Sequence, residues 1–368
     1  MEVAALARTV LWASFGLAVA FGFIAQRTHY CTMGAVGDIV NIGDWTRMRM
    51  WVLSIAVAIL GFNAMVGLGW VKASDSLYAA PRLVWLSNLV GGLLFGFGMV
   101  LASGCGSKTL VRIGGGSLKS VVVFLALGLS AYATLRGITA VLRVNTVDAA
   151  AVTLSTSQDL PSIAAAATGQ PVTNMAWLLG ALIGLALIAW VVRRPEGRQP
   201  MTLVAGIGIG LTVVGVWWVS GRLGFVPEDP RTLEPAFLAT NSMRMESLTF
   251  VAPVAYTLDW LLYFSDASKL LTLGIVTTAG VIVGSAVDAV ASGRFRWEGF
   301  RDAEDTANHL VGGTLMGVGG VTAMGCTIGQ GLTGVSTLSI GSFIALAALI
   351  AGAVAGLRYQ TWRIERQV

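Results

Sequence analysis

Long apolar stretches without a charged residue recur along the whole chain. A helix of about 20 apolar residues crosses the hydrocarbon core of a bilayer. The last stretch is 48 residues long, which is enough for two such helices and an uncharged connection between them. The pattern therefore predicts nine transmembrane helices, from stretches at residues 9–26, 50–71, 83–107, 120–135, 172–192, 201–221, 270–287 and 310–357.

The composition agrees with an all-α polytopic membrane protein. Of the 368 residues, 55% are hydrophobic and 12% are charged, whereas soluble chains carry about 25% charged residues. The 46 glycines suit close contacts between membrane helices. A soluble enzyme is excluded, and the sequence has no phosphate-binding loop, nucleophile elbow or metal-binding helix motif. We expect no enzymatic activity and no cofactor, and the net charge of +5 shows no basic face for nucleic acid.

The basic residues predict an orientation. Lys and Arg near the ends of transmembrane helices are retained on the cytoplasmic side. The densest short basic turn contains Arg193, Arg194 and Arg198. If that turn is cytoplasmic, alternating segments place 15 of the 24 basic residues inside and 9 outside. We therefore expect the N-terminus outside and the C-terminus inside, in a bacterial inner membrane.

A sequence repeat links two of the predicted helices. Residues Gly91–Cys105 align without a gap on Gly312–Cys326, with nine identities in fifteen positions. The first copy lies in the third helix and the second in the eighth, so the two copies cross the membrane in opposite directions. Inverted repeats are typical of transporters, although gene duplication also leaves such symmetry in other membrane scaffolds. The predicted division is a first repeat over 1–144, an outer loop and connecting helix over 145–199, and a second repeat over 200–368.

Each repeated helix ends in a Gly-Cys pair followed by small polar residues. These pairs, Gly104-Cys105 and Gly325-Cys326, predict broken helices and re-entrant segments, because irregular backbone at membrane depth survives only inside protein or beside a cavity. Helix N-termini that point inward bind anions, so the substrate is expected to be an anion. Lys108 and Arg112 either raise the positive potential near Cys105 or are ordinary cytoplasmic flanking charges.

The third cysteine, Cys31, follows the first predicted helix in similar surroundings. Its symmetry counterpart is predicted in the uncharged segment 247–253, because Tyr30 precedes Cys105 by 75 residues and Phe250 precedes Cys326 by 76. This segment has no cysteine. We therefore expect four broken segments, of which three carry a thiol.

Several roles for three cysteines are open at this point. A disulfide, a metal site, a thiol relay and simple core packing all compete. An odd cysteine count without a Cys-x-x-Cys motif gives little support to a dithiol oxidoreductase, and a zinc site needs about four ligands where only two histidines exist. A neutral thiol is a soft donor that suits a sulfur-bearing anion, whereas a thiolate would repel it.

Charged residues in the apolar stretches suggest a coupling mechanism. Carboxylates inside a membrane raise the hypothesis of proton coupling, and Asp38, Asp259 and Asp288 are the candidates. We also expect Arg244 and Glu246 to pair at the mouth of the outer broken segment.

The quoted motifs resemble the YeeE/YedE family over nearly the whole chain. The likeness is carried by Arg27 to Gly34, by Gly104-Cys105 with Leu110-Val111-Arg112, and by Gly325 to Thr333. The resemblance implies nine spans with re-entrant helices in two pseudo-symmetric halves, and uptake of thiosulfate. It also implies a path on which thiols pass the anion along by S–H hydrogen bonds, without covalent chemistry. The candidate path residues are Cys31, Cys105, Cys326, Gly104, Gly325, Lys108, Arg112, Thr327, Gln330 and Arg27.

The sequence therefore favours uptake of thiosulfate or a closely related sulfur anion, with an outer cavity closed at Cys326 and an inner cavity closed at Cys105. Channel-like and proton-coupled flow are both open. Two alternatives are a relay that transfers sulfane sulfur covalently to a cytosolic carrier, and a sensor without flux. Any sulfur-carrier protein is expected to be a separate chain. The outer loop 145–171 has no assigned role.

Overall fold

The computed structural model describes residues 2–230 and 233–366, and this part of the chain forms 14 α-helices and two short strand pairs. Arg231, one of the nine basic residues assigned to the outer side, lies outside the described residues. The helices are α1 (Glu2–Arg27), α2 (Thr32–Ile42), α3 (Thr46–Gly67), α4 (Trp85–Leu101), α5 (Gly106–Gly114), α6 (Leu118–Arg136), α7 (Ile138–Asn145), α8 (Leu160–Thr168), α9 (Val172–Val192), α10 (Pro200–Trp218), α11 (Ala252–Leu262), α12 (Leu273–Ala291), α13 (Ala303–Thr322) and α14 (Ile340–Glu365).

The predicted apolar stretches all form helices. Eight helical segments of the described chain are long and apolar enough to cross a membrane. α13 has 20 residues but is not one of these eight, because it begins with Glu304 and Asp305 and includes His309. The last apolar stretch does divide into two helices, α13 and α14. The prediction of an all-α polytopic membrane protein is confirmed, with eight candidate spans where we expected nine.

The repeated glycines place α4 and α13 in direct backbone contact. A Cβ atom on Gly98 would lie 2.8 Å from the Gly312 carbonyl oxygen, and one on Gly312 would lie 2.6 Å from the Ala102 amide nitrogen. Gly91 and Gly319 make the same kind of contact at the other end of the crossing. The two helices are antiparallel, and only residues without a side chain allow this approach.

The main helix pairs each join a helix of the first half of the chain to a helix of the second half. α1 packs on α12 as α10 packs on α3, and α4 packs on α14 as α13 packs on α6. The short helices follow the same scheme, since α2 contacts α14 and α11 contacts α6. α9 packs mainly on α3 and belongs to neither set. Two related halves with α9 as connector would produce this pattern, although the boundaries at 145 and 200 stay predictions.

The loop 145–171, which we predicted to lie outside, holds the segment that follows Cys326. Strand β1 (Arg82–Leu83) pairs with β2 (Val152–Thr153), and a second pair joins β3 (Phe225–Val226) to β4 (Ala236–Phe237). The Gln158 side chain donates to the Ala80 carbonyl (2.9 Å) and accepts from the Gly341 amide (3.0 Å). The loop thereby fixes the start of α14.

Candidate functional site

The two Gly-Cys breaks have the same backbone geometry. Two residues after the end of α4, Ser103 has φ 55°, and two residues after the end of α13, Met324 has φ 60°. The Gly104 amide donates to the Met99 carbonyl at 2.8 Å, and the Gly325 amide donates to the Gly320 carbonyl at 2.8 Å. Left-handed backbone is uncommon for residues other than glycine and clusters at functional sites. The repeat therefore preserves a conformation as well as residue types.

Each cysteine lies at the start of a short helical segment. The Cys31 sulfur accepts a hydrogen bond from the Gly34 amide (3.3 Å) at the N-terminus of α2. The Cys326 sulfur accepts from the Gly329 amide (3.3 Å) in the same way. Cys105 is the N-cap of α5, and its sulfur lies 3.3 Å from the Ser107 hydroxyl oxygen. All three thiols are free and buried, and each faces the positive end of a helical turn.

The broken segments converge on one place inside the bundle. The Cys31 and Cys105 thiols are neighbours, and the Thr327 hydroxyl lies beside Cys105. Tyr30 lies next to the first two cysteines. The fourth break joins them through Phe250, whose amide faces the Cys326 sulfur. The four segments predicted from sequence spacing are therefore brought together.

Several polar atoms at this convergence point have no hydrogen bond of normal geometry. They are the hydroxyl oxygens of Tyr30, Thr32 and Thr327, all fully buried in the described structure. Ser54 is a neighbour of the Tyr30 hydroxyl, and Cys105 is a neighbour of the Thr327 hydroxyl. Buried polar groups in folded proteins are nearly always hydrogen-bonded. The convergence point therefore offers donors to a ligand.

Two cavities lie at opposite ends of the α4–α13 crossing. The first has a volume of about 510 Å³, and we call it the Cys31 cavity because Cys31 and Ser103 line it. The second has a volume of about 190 Å³, and we call it the Glu246 cavity because Glu246, Met324 and Gly325 line it. Ser103 follows the end of α4 and Met324 follows the end of α13, so the antiparallel crossing puts these cavities on opposite sides of the molecule. The thiols lie between them.

The Cys31 cavity is strongly basic. Lys108, Arg112 and Arg47 line it. Within the described residues, Lys108 and Arg112 form no ion pair, whereas Arg47 pairs with Asp38 (2.7 Å). An adjoining cavity of about 430 Å³ shares Lys108 and Arg112 and adds further cations, Arg294 and Arg296. The field on this side favours an anion.

Gln330 and Arg27 are each engaged by other side chains or backbone groups of the protein. The Gln330 side chain donates to the Ala323 carbonyl (2.5 Å) and accepts from the Ser342 hydroxyl (2.7 Å). Both ends of its amide are thereby engaged. Arg27 is 57% exposed and pairs with Asp288 at 3.7 Å.

The three intramembrane carboxylate candidates are all ion-paired. Asp38 pairs with Arg47 (2.7 Å), Asp259 with Lys269 (2.6 Å) and Asp288 with Arg294 (2.7 Å). Each carboxylate therefore has a cation that stabilises its charged form.

The expected pair between Arg244 and Glu246 is not formed. The Glu246 carboxylate accepts from the Ser242 amide (2.7 Å), and Arg244 donates to the Ser74 carbonyl (3.2 Å). The chain between β4 and α11 turns Arg244 outward and Glu246 into the cavity. Sequence reasoning named Glu246 but missed Tyr78, which lines the same cavity from the distant connection between α3 and α4.

The comparison with known families agrees with this geometry. The sulphur transport family matches residues 27–355. The chain belongs to this family. Members with high coverage include the thiosulfate transporter TsuA of Escherichia coli K12, which is 28% identical over 90% of this chain and 89% of its own length. TsuA of Spirochaeta thermophila is 25% identical over 93% of this chain and 97% of its own length.

This chain also matches the probable transporter YedE of Salmonella typhimurium over a shorter region. The two are 32% identical over 26% of this chain and 22% of that protein. The resemblance to the YeeE/YedE family is thus confirmed. The relatives are transporters and not enzymes. Together with the eight candidate spans, membership makes the chain a multi-pass membrane transporter of sulfur compounds.

Proposed function

We propose that the protein takes up thiosulfate across the inner membrane, along a path lined by Cys31, Cys105 and Cys326. The observation that carries this proposal is the convergence of three buried free thiols at helix N-termini, between two cavities on opposite sides of the molecule. The names of the two TsuA relatives support thiosulfate as the anion. With the N-terminus outside, the Glu246 cavity faces outward and the Cys31 cavity faces the cytoplasm.

The thiols act as neutral hydrogen-bond donors. The Cys31 and Cys326 sulfurs already accept from backbone amides, so each S–H proton is free to point at a ligand. Donors from several helix N-termini stabilise negative charge without a permanent cation at the centre. A soft sulfur atom beside the terminal sulfur of thiosulfate adds dispersion attraction that a hydroxyl would not supply. No bond to the anion is made or broken.

The direction of movement follows from the charges. An anion that leaves Cys326 meets the Thr327 hydroxyl and Cys105, and then Cys31 beside the basic cavity. Lys108 and Arg112 lie there, form no ion pair within the described part of the chain, and attract the anion toward the cytoplasm. An anion moved into a negative cell works against about 2.3 kcal/mol per charge at 100 mV, so positive potential at the inner mouth assists release from the thiols.

The inverted packing supports alternate closure of the two cavities. Ser103 and Met324 are repeat-equivalent, and each lines one cavity at the end of one crossing helix. Small opposite movements of the two breaks would open one cavity while the other closes, as inverted repeats do in transporters. The repeats 1–144 and 200–368 are the moving halves in this proposal.

Uptake of thiosulfate labelled in its sulfane sulfur, measured in proteoliposomes, tests the proposal. Cys105→Ser and Cys326→Ser are expected to reduce uptake strongly, because serine keeps a donor but loses the soft sulfur. Ser14→Ala, a buried change in α1, is the matched control and should take up label like the parent. Equal uptake in all four proteins would remove the thiols from the path, and no uptake by the parent would refute transport of thiosulfate.

The adjacency of Cys31 and Cys105 favours one alternative, a relay that transfers sulfur covalently. In the relay a cysteine thiolate attacks the sulfane sulfur of thiosulfate, the sulfur–sulfur bond of thiosulfate breaks and sulfite leaves. The resulting persulfide then gives its outer sulfur to a thiolate of a separate cytosolic carrier protein, and the cysteine thiolate is restored. Mass spectrometry of the intact protein after exposure to thiosulfate separates the two mechanisms. A mass increase of one sulfur atom on a cysteine would favour the relay. Unmodified cysteines with normal uptake would favour hydrogen-bonded passage.

A further inference from the structure

Glu246 occupies a fixed position in the cavity that leads to Cys326. Its backbone is held at both ends by Ser220, whose hydroxyl donates to the Glu246 carbonyl (2.5 Å) and accepts from the Glu246 amide (3.2 Å). Its carboxylate accepts from the Ser242 amide (2.7 Å). Met324 and Gly325, the residues immediately before Cys326, line the same cavity.

No cation neutralises this carboxylate within the described residues. Arg143 lines the same cavity but pairs with Asp148 (3.3 Å), and Arg244 is turned to the Ser74 carbonyl. Asp38, Asp259 and Asp288 each have a basic partner, so Glu246 differs from them. The titratable and charged groups around it are Tyr78, Tyr256, Arg136, Arg143 and Arg244.

The cavity passes directly to the Cys326 break. A Cβ atom on Gly329 would lie 3.3 Å from the Tyr78 hydroxyl and would also meet the Thr249 hydroxyl. Both of these residues line the Glu246 cavity. Since the Gly329 amide is the one that Cys326 accepts from, an anion on its way to Cys326 passes the Glu246 carboxyl at close range.

The charge on Glu246 therefore decides whether an anion can pass. A carboxylate in a cavity of low polarity repels an anion with little screening. A protonated carboxyl is neutral and donates a hydrogen bond to the anion. Burial raises the pKa of Glu246 above the ordinary value for a glutamate, so its carboxyl binds a proton more readily than an exposed glutamate does.

We propose that Glu246 is a protonation gate on the anion path, which admits the anion when its carboxyl is protonated and blocks it when ionised. The proton comes from the solution on the Glu246 side, binds one carboxylate oxygen, and stays there while the anion passes. This inference rests on the proposed function and adds to it a dependence on the pH of one side only.

Uptake of labelled thiosulfate at a series of external pH values, with the internal pH held constant, tests the gate. Above the pKa of Glu246 the protonated fraction falls about tenfold for each pH unit, and uptake by the parent is expected to fall with it. Glu246→Gln is permanently neutral and keeps an acceptor for the Ser242 amide, so its uptake should stay high and lose this dependence. Glu246→Asp should retain the dependence, and Glu228→Gln, an exposed change in the loop that follows α10, should match the parent.

The outcomes separate failure of the gate from failure of transport. Parent uptake that does not change with external pH, or an identical pH profile in Glu246→Gln, refutes the gate and leaves transport intact. A folded Glu246→Gln protein without uptake at any pH also refutes it, because a neutral side chain should be open. No uptake by the parent refutes the proposed function, and the gate with it.

Discussion

The contact between α4 and α13 makes a sharp prediction for Gly312→Ala. The added Cβ would lie 2.6 Å from both the Ala102 amide nitrogen and the Gly98 carbonyl oxygen. Ordinary contacts begin near 3.4 Å, so the two backbones must separate by about 0.8 Å or lose their hydrogen-bond geometry. Backbone atoms cannot rotate away as side chains do. We expect a destabilisation at the upper end of the range for overpacking, about 3 kcal/mol.

A matched control removes the effect of helix propensity. Gly16 lies inside α1, and a Cβ there would meet nothing within 4 Å. Alanine in place of glycine gains about 1 kcal/mol in either helix. Gly16→Ala should therefore be stabilised, and Gly312→Ala should be destabilised by about 2 kcal/mol net.

Thermal unfolding of the detergent-solubilised protein measures both changes. The repeat equivalent Gly91→Ala should behave like Gly312→Ala, because its Cβ would meet the backbone of Ala323 and Gly319. Equal melting temperatures for Gly312→Ala and Gly16→Ala would refute the close approach of the two helices. A penalty at Gly312 without one at Gly91 would refute the equivalence of the two repeats.

Three further changes test other parts of the structure. Lys108→Gln should lower uptake about fivefold at low anion concentration, since one charge at roughly 10 Å contributes about 1 kcal/mol. Lys72→Gln, an exposed control, should not lower it. Equal uptake by the Lys108→Gln variant and the parent would show that the charge of Lys108 has no role. Gln330→Ala should lose about 2 kcal/mol or more of stability, because it leaves the Ala323 carbonyl and the Ser342 hydroxyl unpaired. The apparent KM for the anion should stay unchanged, and a changed KM would place Gln330 on the path. Burial raises the pKa of Asp159, the N-cap of α8, so the contribution of Asp159 to stability is complete below its pKa in the unfolded chain and is lost as the pH rises through its pKa in the folded protein. Asp159→Asn should keep the cap and be more stable than the parent at neutral pH. A lower melting temperature of this variant at neutral pH would contradict the prediction.

Several features of the site were within reach of the sequence. The register of Cys105 with Cys326 predicted equivalent breaks, and the structure gives them the same left-handed residue and the same closing hydrogen bond. The spacing of Tyr30 and Phe250 predicted a fourth break without a cysteine. A duplicated segment keeps its local conformation where glycine and small residues define it.

Other features depended on contacts that no local pattern reports. Gln330 lies in a polar motif typical of a binding site, yet its side-chain amide is hydrogen-bonded to the Ala323 carbonyl and the Ser342 hydroxyl. Arg27 belongs to the family-like motif, yet it pairs with Asp288 on a distant helix. The sequence predicted α13 as a span, whereas its polar start keeps it out of the eight candidate spans, and its glycines place it against α4.

The sequence alone was enough to establish the class of the protein, the position of its long apolar helices and the repeat. The reason is that a bilayer requires every long apolar stretch to satisfy its own backbone as a helix. The packing of the helices was needed to establish which buried charges have partners, which thiols are neighbours, and that Glu246 lines its cavity with no cation paired to it among the described residues. Those properties arise between helices far apart in the chain, where the position of one side chain is set by the packing of another.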